Sequence, residues 1–197
     1  MKIHDISQEV FSCSVYLGDP APKREELSSI KNGDLYNLTA FSMCAHNGTH
    51  IDAPSHFIEN GKCVDELSIE RTVGYAIVVE CSGDITADTA KEILDSAKSV
   101  NEEAAKRILL KGDLTVTLEA AREFVGAGVE LIGNESQTVG PESAPAEVHK
   151  LLLGADVVLL EGIRLGNISE GVYLLNAAPL LLGGADGAPC RAILIEI

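Results

Sequence analysis

The chain has 197 residues, of which 46% are hydrophobic, and its 30 acidic and 15 basic residues give a formal net charge of −15. This length and apolar content predict one globular domain over residues 1–197, because a chain of this size can bury most of its unfolded surface. They exclude a disulfide-stapled miniprotein and a disordered chain. The excess of negative charge argues against nucleic acid and anionic membranes as partners.

The apolar runs and the cysteines indicate a cellular location. No apolar run approaches the roughly 20 residues that span a bilayer, and the N-terminal sequence MKIHDISQEV has no apolar signal region. The cysteines are scattered and never form a CxxC pair, so they are predicted to be free thiols of a cytoplasmic protein. They are Cys13, Cys44, Cys63, Cys81 and Cys190.

The N-terminal third is rich in turns and polar residues, whereas the rest of the chain alternates short apolar runs with amphipathic stretches. In the first third, segments 2–6, 10–16 and 35–44 are expected to add antiparallel strands. Beyond residue 75, short apolar runs bounded by glycine or charge predict buried strands. These runs are 75–81, 107–112, 129–134, 156–162, 172–177 and 190–196.

Helical patterns lie between these strands. Segments 87–98 and 101–107 precede one strand, and Thr117 is the predicted N-cap of LEAAREFV, which ends at a pair of glycines. Pro145 suits the first turn of AEVHKLLL, and Gly154 suits its end. The alternation predicts an α/β fold, a single domain with a largely parallel or mixed β-sheet and flanking helices.

The segment HNGTHIDAPSHF (46–57) contains the residues most typical of a chemical site. Gly48 and Pro54 argue against a helix, so the chain is expected to turn at 47–48 and then to run extended. In an extended run His50 and Asp52 point to the same side, and the turn lets His46 approach them. Two imidazoles and a carboxylate predict a divalent-metal site. The alternative is a polar loop with histidines satisfied in the core, but this combination around a glycine turn favours the metal site.

This segment resembles the HxGTHxDxPxH signature of the metal-dependent cyclase family, which includes bacterial kynurenine formamidases and isatin hydrolases. Three further segments look like parts of that family: VYLGDP (15–20), GVELIGNES (128–136) and AAPLLLGGADGAPCRAIL (177–194). The resemblance therefore covers nearly the whole chain. It implies a swivelling β/β/α-like fold and one cyclase-family hydrolase domain over 1–197.

The resemblance also implies a centre of two divalent metal ions, Zn²⁺ or Mn²⁺, with one or both sites filled. In that centre His46 and His50 bind the first ion, His149 binds the second, and Asp52 and Glu161 bridge them. The sequence around Glu161 supports its assignment as a ligand independently of the resemblance. Glu161 ends the largely apolar run DVVLL, which is predicted to be buried, and a buried carboxylate is costly without a cation. Without the resemblance, His149 would be interpreted as a surface helix residue, and Glu161 would equally be a strand-end acid in solvent or a buried site residue.

His56 lies past Pro54, too far along the chain for an easy place beside the same ion. The resemblance makes it the catalytic proton donor and acceptor, and the alternative is a histidine that only supports a ligand. The implied activity is hydrolysis of a non-peptide C–N bond in a small-molecule amide, with arylformamidase first and cyclic amide hydrolase second. A non-catalytic homologue that binds metal or ligand is the third alternative. The resemblance further implies a homodimer or homotetramer.

Several positions depart from the family pattern and leave the substrate open. The chain has no Trp, and Tyr16 is the candidate to replace the aromatic residue of the opening segment. Residues 134–137 (Asn, Glu, Ser, Gln) alter the family's Asp, Thr, Pro run, so the roles of Glu135 and Ser136 stay open. Asp186 matches the family pattern, but between glycines it is equally a turn former or a substrate contact. Cys44 is expected to be a small buried residue and not a ligand.

Overall fold

A nine-stranded mixed sheet forms the centre of the computed structural model, which describes residues 1–196. In chain order, the elements are β1 (Ile3–Asp5), β2 (Lys23–Ser28), β3 (Leu38–Ser42), β4 (His50–Asp52), β5 (Val73–Glu80), β6 (Gly83–Ile85), α1 (Ala87–Val100), β7 (Arg107–Lys111), β8 (Leu114–Val116), α2 (Leu118–Gly126), β9 (Leu131–Asn134), α3 (Ala146–Gly154), β10 (Val158–Glu161), β11 (Gly171–Asn176), β12 (Gly187–Pro189) and β13 (Ile193–Ile195).

The sheet has the strand order β1-β13-β11-β5-β7-β9-β10-β4-β12. Its centre, from β5 through β7 and β9 to β10, is parallel, and the strands on both sides of this centre are antiparallel. This confirms the predicted α/β fold with a mixed sheet. Strands β6 and β8 form a separate parallel pair.

Both faces of the parallel centre are buried, which explains why its strands are apolar runs without alternation. On β7, Ile108 and Leu110 pack with Phe124 and Leu152 of the helical layer. The intervening Leu109 points to the opposite face and joins a second apolar cluster. Buried residues of all three helices belong to the first cluster, so the helices cover one face of the sheet.

The predicted helix signals are largely confirmed. The Thr117 hydroxyl accepts a hydrogen bond from the backbone N–H of Ala120 at 3.2 Å, as expected of an N-cap. Pro145 lies at the N-cap of α3, one residue before its first turn, and Gly154 is its last residue. The segment 101–107 is not a helix, because it contains only a single 3-10 turn before β7 begins at Arg107.

The N-terminal third was predicted less well. Segments 2–6 and 35–44 do contain antiparallel strands, β1 and β3. Segment 10–16 does not, because it forms one 3-10 turn (Val10–Ser12). Strand β2 was not predicted at all, since its sequence KREELS lacks an apolar face. In the last segment, 190–196, the strand is limited to Ile193–Ile195.

Strands β2 and β3 form a hairpin that pairs with no strand of the main sheet; we call residues 23–42 the arm. Most of its side chains are exposed, including Leu27, Leu38 and Phe41. Among residues 1–196, no helix has both the length and the apolar character needed to cross a membrane.

Candidate metal centre

The histidine-rich segment is a turn followed by a strand; we call residues 46–56 the hook. Gly48 has a φ of +67°, and a Cβ at this position would lie 2.8 Å from the Cβ of Cys13, so the turn requires glycine. The strand part, β4, is held between β10 and β12. The register sets His50 opposite Glu161, and this places the hook beside the end of β10. The predicted turn and extended run are therefore confirmed.

All five residues predicted as metal ligands meet at this point. On one side, His46 Nδ1 lies 2.8 Å and His50 Nε2 lies 3.3 Å from Oδ1 of Asp52. On the other side, His149 Nε2 lies 3.8 Å from Oδ2 of Asp52 and 3.2 Å from Oε1 of Glu161. The two carboxylates thus lie among three imidazoles, and four of these five side chains are almost completely buried. Their assignment as ligands stays a prediction.

The imidazoles of His50 and His149 are oriented as metal ligands usually are. Each donates its Nδ1–H to a backbone carbonyl, that of Gly48 at 3.0 Å and that of Pro145 at 2.9 Å. When the ring is neutral, Nε2 carries the lone pair and faces the buried carboxylates. Lone pairs and carboxylates that face one another need a cation between them. The donor set therefore fits a divalent metal ion.

The electrostatics of the cluster favour positive charge. Burial alone would raise the pKa of Asp52, but the hydrogen bonds from His46 and His50 outweigh burial and lower this pKa below its usual range. Burial alone would lower the pKa of His46, yet Asp52 and Asp186 raise it to about 9. The pKa values of His50 and His149 are raised too, despite burial, mainly by hydrogen bonds to Asp52 and Glu161 respectively. The carboxylates that favour protonated histidines would attract a bound metal cation in the same way.

Glu161 is the buried strand-end acid that the sequence singled out. Its Oε1 accepts a hydrogen bond from the backbone N–H of Val139 at 2.8 Å and lies near His149. Its Oε2 lies 3.6 Å from Nε2 of His50. The carboxylate is therefore surrounded by donors and imidazoles, as a buried charge requires.

His56 lies beside the cluster and outside the five-residue set. It ends a 3-10 turn that begins at Pro54, and its ring stacks on that of His46 with centroids 4.0 Å apart. Its Nδ1 lies 3.1 Å from Oδ2 of Asp186. The ring lines a cavity of about 380 Å³ that also reaches His149 and Tyr16. This position suits proton transfer to a molecule in the cavity.

The residues whose roles the sequence did not decide differ in whether they line the cavity beside His56. Tyr16, Cys44 and Gln137 line the cavity. Cys44 is only partly buried, with its Sγ 3.8 Å from Oδ2 of Asp19, so the expectation of a buried residue was wrong. Glu135 does not line this cavity, because its carboxylate accepts backbone N–H bonds from Gly112 and Leu165 and so connects the loops after β7 and β10.

Asp186, whose role the sequence left open, lies at the site as a partner of two histidines. Its Oδ2 lies 3.0 Å from Nε2 of His46 as well as near His56. Burial raises its pKa, but the hydrogen bonds from these two histidines outweigh burial and lower it. Sequence spacing gave no sign of this contact, because an acid in a glycine-rich loop has no fixed direction relative to a hook 130 residues earlier.

Comparison with known proteins gives a consistent result. Residues 4–141 match the profile of the family described as "Putative cyclase". A kynurenine formamidase of Salinibacter ruber is 32% identical, over 98% of this chain and 97% of that protein. A solved structure described as a predicted metal-dependent hydrolase from Bacillus stearothermophilus is 27% identical, with a TM-score of 0.80 over 98% of this chain and 97% of that one. Isatin hydrolase A from Labrenzia aggregata has the same fold at 22% identity, with a TM-score of 0.80 over 100% of this chain and 94% of that one.

Proposed function

Because this chain belongs to the cyclase family, we propose that it is an arylformamidase, which hydrolyses an N-formyl arylamine to formate and the free amine. The coarser assignment, a metal-dependent hydrolase that acts on amides, follows from the family and from the buried donor set. The observation that carries the proposal is the convergence of three imidazoles and two buried carboxylates beside His56.

We assign His46 and His50 to a first divalent ion, His149 to a second, and Asp52 and Glu161 to both. The two oxygens of Asp52 support a bridging role, since Oδ1 faces His46 and His50 whereas Oδ2 faces His149. Histidine nitrogen and carboxylate oxygen accept Zn²⁺ and Mn²⁺ alike, so either ion fits. When bound, such an ion lowers the pKa of water toward about 7 and polarises a carbonyl oxygen.

His56 supplies what the carboxylates and the ligand imidazoles do not. Breaking an amide C–N bond requires a proton on the departing nitrogen, while the hydroxyl of water joins the carbonyl carbon. His56 Nε2 has no hydrogen-bond partner among residues 1–196, and its ring faces the cavity. It can therefore take a proton from water and deliver it to the nitrogen. Its presence also argues against a homologue that only binds ligand.

The walls of the cavity support an aromatic substrate. Phe57 and Tyr16 line it, and Phe57 contacts both His56 and His149, with ring centroids at 4.5 and 4.7 Å. These rings offer stacking surfaces for an aryl group in a chain that lacks Trp. The isatin hydrolase fold makes a cyclic aryl amide the second candidate.

The test is hydrolysis by purified protein loaded with Zn²⁺ or Mn²⁺, assayed against N-formylkynurenine, isatin and a cyclic imide. We expect the formamide to be cleaved with the highest kcat/KM. A higher value for isatin would replace the arylformamidase proposal with the cyclic-amide alternative, and turnover of none would contradict both.

Replacing His56 by Ala should lower kcat by about 10² to 10⁴-fold, the usual contribution of a positioned acid or base. The metal content, measured by elemental analysis, should stay at the wild-type value because His56 is outside the five-residue set. Full activity in this variant would show that His56 does not transfer the proton.

We further propose that the protein assembles with a second copy through the arm. An isolated two-stranded hairpin is marginally stable in water, yet this one exposes Leu27, Leu38 and Phe41. A second copy of the chain would cover this apolar surface on both partners at once, as two-fold symmetry requires. Sedimentation of the purified protein tests this, and a monomer at micromolar concentration would contradict it.

The location that we propose is the cytoplasm. The five cysteines are all free in the structure, and a reducing compartment keeps thiols in this state. Two of the thiols are also kept in the unreactive protonated form. Burial raises the pKa of Cys190 to about 12, and burial is the main cause that raises the pKa of Cys81 to about 11.

A further inference from the structure

We infer that Asp186 is a positioning residue shared by the two halves of the site: one carboxylate oxygen orients both the metal-binding His46 and the proton-transferring His56. The inference rests on the proposed roles of these two histidines. It goes beyond them because it assigns a third residue, on a distant loop, to both roles.

The geometry places both rings on the same atom. Oδ2 of Asp186 lies 3.0 Å from Nε2 of His46 and 3.1 Å from Nδ1 of His56. The two rings are stacked at 4.0 Å with an interplanar angle of 27°, so they present these nitrogens to the carboxylate side by side. A charged acceptor makes stronger and shorter hydrogen bonds than a neutral one.

His46 differs from the other two imidazoles of the cluster in what orients it. His50 and His149 donate to backbone carbonyls, whereas His46 has a carboxylate at each ring nitrogen. Nδ1 faces the buried Asp52, and Nε2 faces Asp186 outside the cluster. Asp186 therefore has the same role for His46 that the backbone carbonyls have for the other two rings, because it accepts a hydrogen bond from the nitrogen that faces away from the cluster. Donation of the Nε2 proton to it leaves Nδ1 as the lone pair for a cation.

The same oxygen selects the proton position on His56. When Nδ1–H donates to Asp186, Nε2 carries the lone pair and is the atom that exchanges protons with a molecule in the cavity. The ring is also held from both sides, by the stacked His46 and by the edge contact with Phe57. Without the carboxylate, either nitrogen could carry the proton.

The backbone of Asp186 is fixed against the hook. Its carbonyl accepts a hydrogen bond from the N–H of Ala53 at 2.9 Å, and the next residue, Gly187, pairs with Asp52 across β4 and β12. A Cβ at position 187 would lie 2.6 Å from Cε1 of His46, so the close approach requires glycine. The backbone of Asp186 therefore has a fixed place relative to the hook, and from there the carboxylate reaches both rings.

The test uses Asp186→Asn, which keeps the shape and removes the charge, and Asp186→Ala. Metal affinity is measured on the purified protein by competition with a coloured chelator, and kcat and KM are measured at saturating metal. We expect metal affinity to fall about 10 to 100-fold, as is usual when the partner of a metal-binding histidine is lost. At saturating metal, kcat should still fall about tenfold or more with little change in KM, because His56 is no longer oriented.

Two controls separate orientation from general loosening. Asp65→Ala removes a hydrogen bond to Gly184 on the same loop without touching either ring, and it should leave metal affinity within about twofold. In the His56→Ala background, Asp186→Asn should lower metal affinity as before but cause no further loss of kcat, since the ring that it orients is gone.

Unchanged metal affinity and kcat in both Asp186 variants would overturn the inference. A loss of affinity with normal kcat at saturating metal would refute the shared role. Wild-type protein without amide hydrolysis would instead contradict the proposed function, and the chelator competition would still decide whether Asp186 orients His46. Thermal melting of each variant checks that it is folded.

Discussion

The hook and the arm are neighbouring segments of the N-terminal third, and they meet their surroundings in opposite ways. In the hook, His50 and Asp52 are 1% exposed, and their strand lies between two others. In the arm, Phe41 is 58% exposed, and the hairpin pairs only with itself. The hook carries polar residues into the interior, whereas the arm carries apolar residues to the surface.

From this contrast we propose that each segment is completed by something outside it, the hook by a cation and the arm by a second copy of the chain. Buried imidazoles and carboxylates are stable only with mutual partners or a cation. An isolated two-stranded hairpin is only marginally stable in water, and covering its exposed apolar side chains would stabilise it. We therefore expect changes in the hook to act on metal and catalysis, and changes in the arm to act on assembly.

The largest effect should follow Asp52→Asn. Asp52 contacts three imidazoles, and the substitution removes the charge that holds a cation among them. We expect metal affinity to fall by more than about 10²-fold, because loss of a supporting partner alone costs 10 to 100-fold. Elemental analysis after dialysis and the amide assay check this. Asp95→Asn, on the exposed side of α1, is the matched control. Retention of metal by Asp52→Asn would contradict the role of Asp52 as a ligand.

A smaller effect, on stability alone, should follow Glu135→Ala. Its carboxylate accepts N–H bonds from Gly112 at 2.9 Å and Leu165 at 2.8 Å but does not face the metal centre. Loss of these bonds should lower the free energy of unfolding by about 2 kcal/mol, as measured by urea denaturation. Metal content should not change. A loss of metal in this variant would extend the site to a residue that the structure places outside it.

The smallest effect should follow Phe41→Ser in the arm. If a second copy covers the arm, removing this ring should weaken association about fivefold to tenfold, as measured by sedimentation. Glu26→Gln, on the partner strand, removes a charge but no apolar area and serves as the control. The amide assay on the dissociated protein shows whether the two segments are independent. Unaltered association would remove the arm from the interface.

The parts of the fold that the sequence predicted are those governed by local pattern. Strands β7 and β9 were predicted because they are buried on both faces and therefore read as uninterrupted apolar runs. The hook was predicted because its residues are close in sequence and a glycine and a proline limit its conformations. Strand β2 was missed because KREELS has a single apolar residue, Leu27, and no alternation of apolar and polar residues to signal a strand.

The parts of the site that could not be predicted depend on long-range contact. His149 and Glu161 were proposed through family resemblance. The antiparallel pairing of β4 with β10 brings Glu161 to the hook, and helix α3 places His149 3.2 Å from Glu161. Asp186 reaches the site through the pairing of β4 with β12, which nothing near residue 186 in the sequence indicates. Glu135 was left open because an acid after a strand can equally bind a ligand or cap neighbouring loops.

The position of β4 between β10 and β12 also has a consequence for biosynthesis. The hook leaves the ribosome early, but both strands that hold it belong to the last quarter of the chain. Until those strands are synthesised, His46, His50 and Asp52 lack Glu161 and the strands that align them. We therefore expect metal to bind late in synthesis, because nascent or C-terminally truncated chains leave the hook without its neighbours.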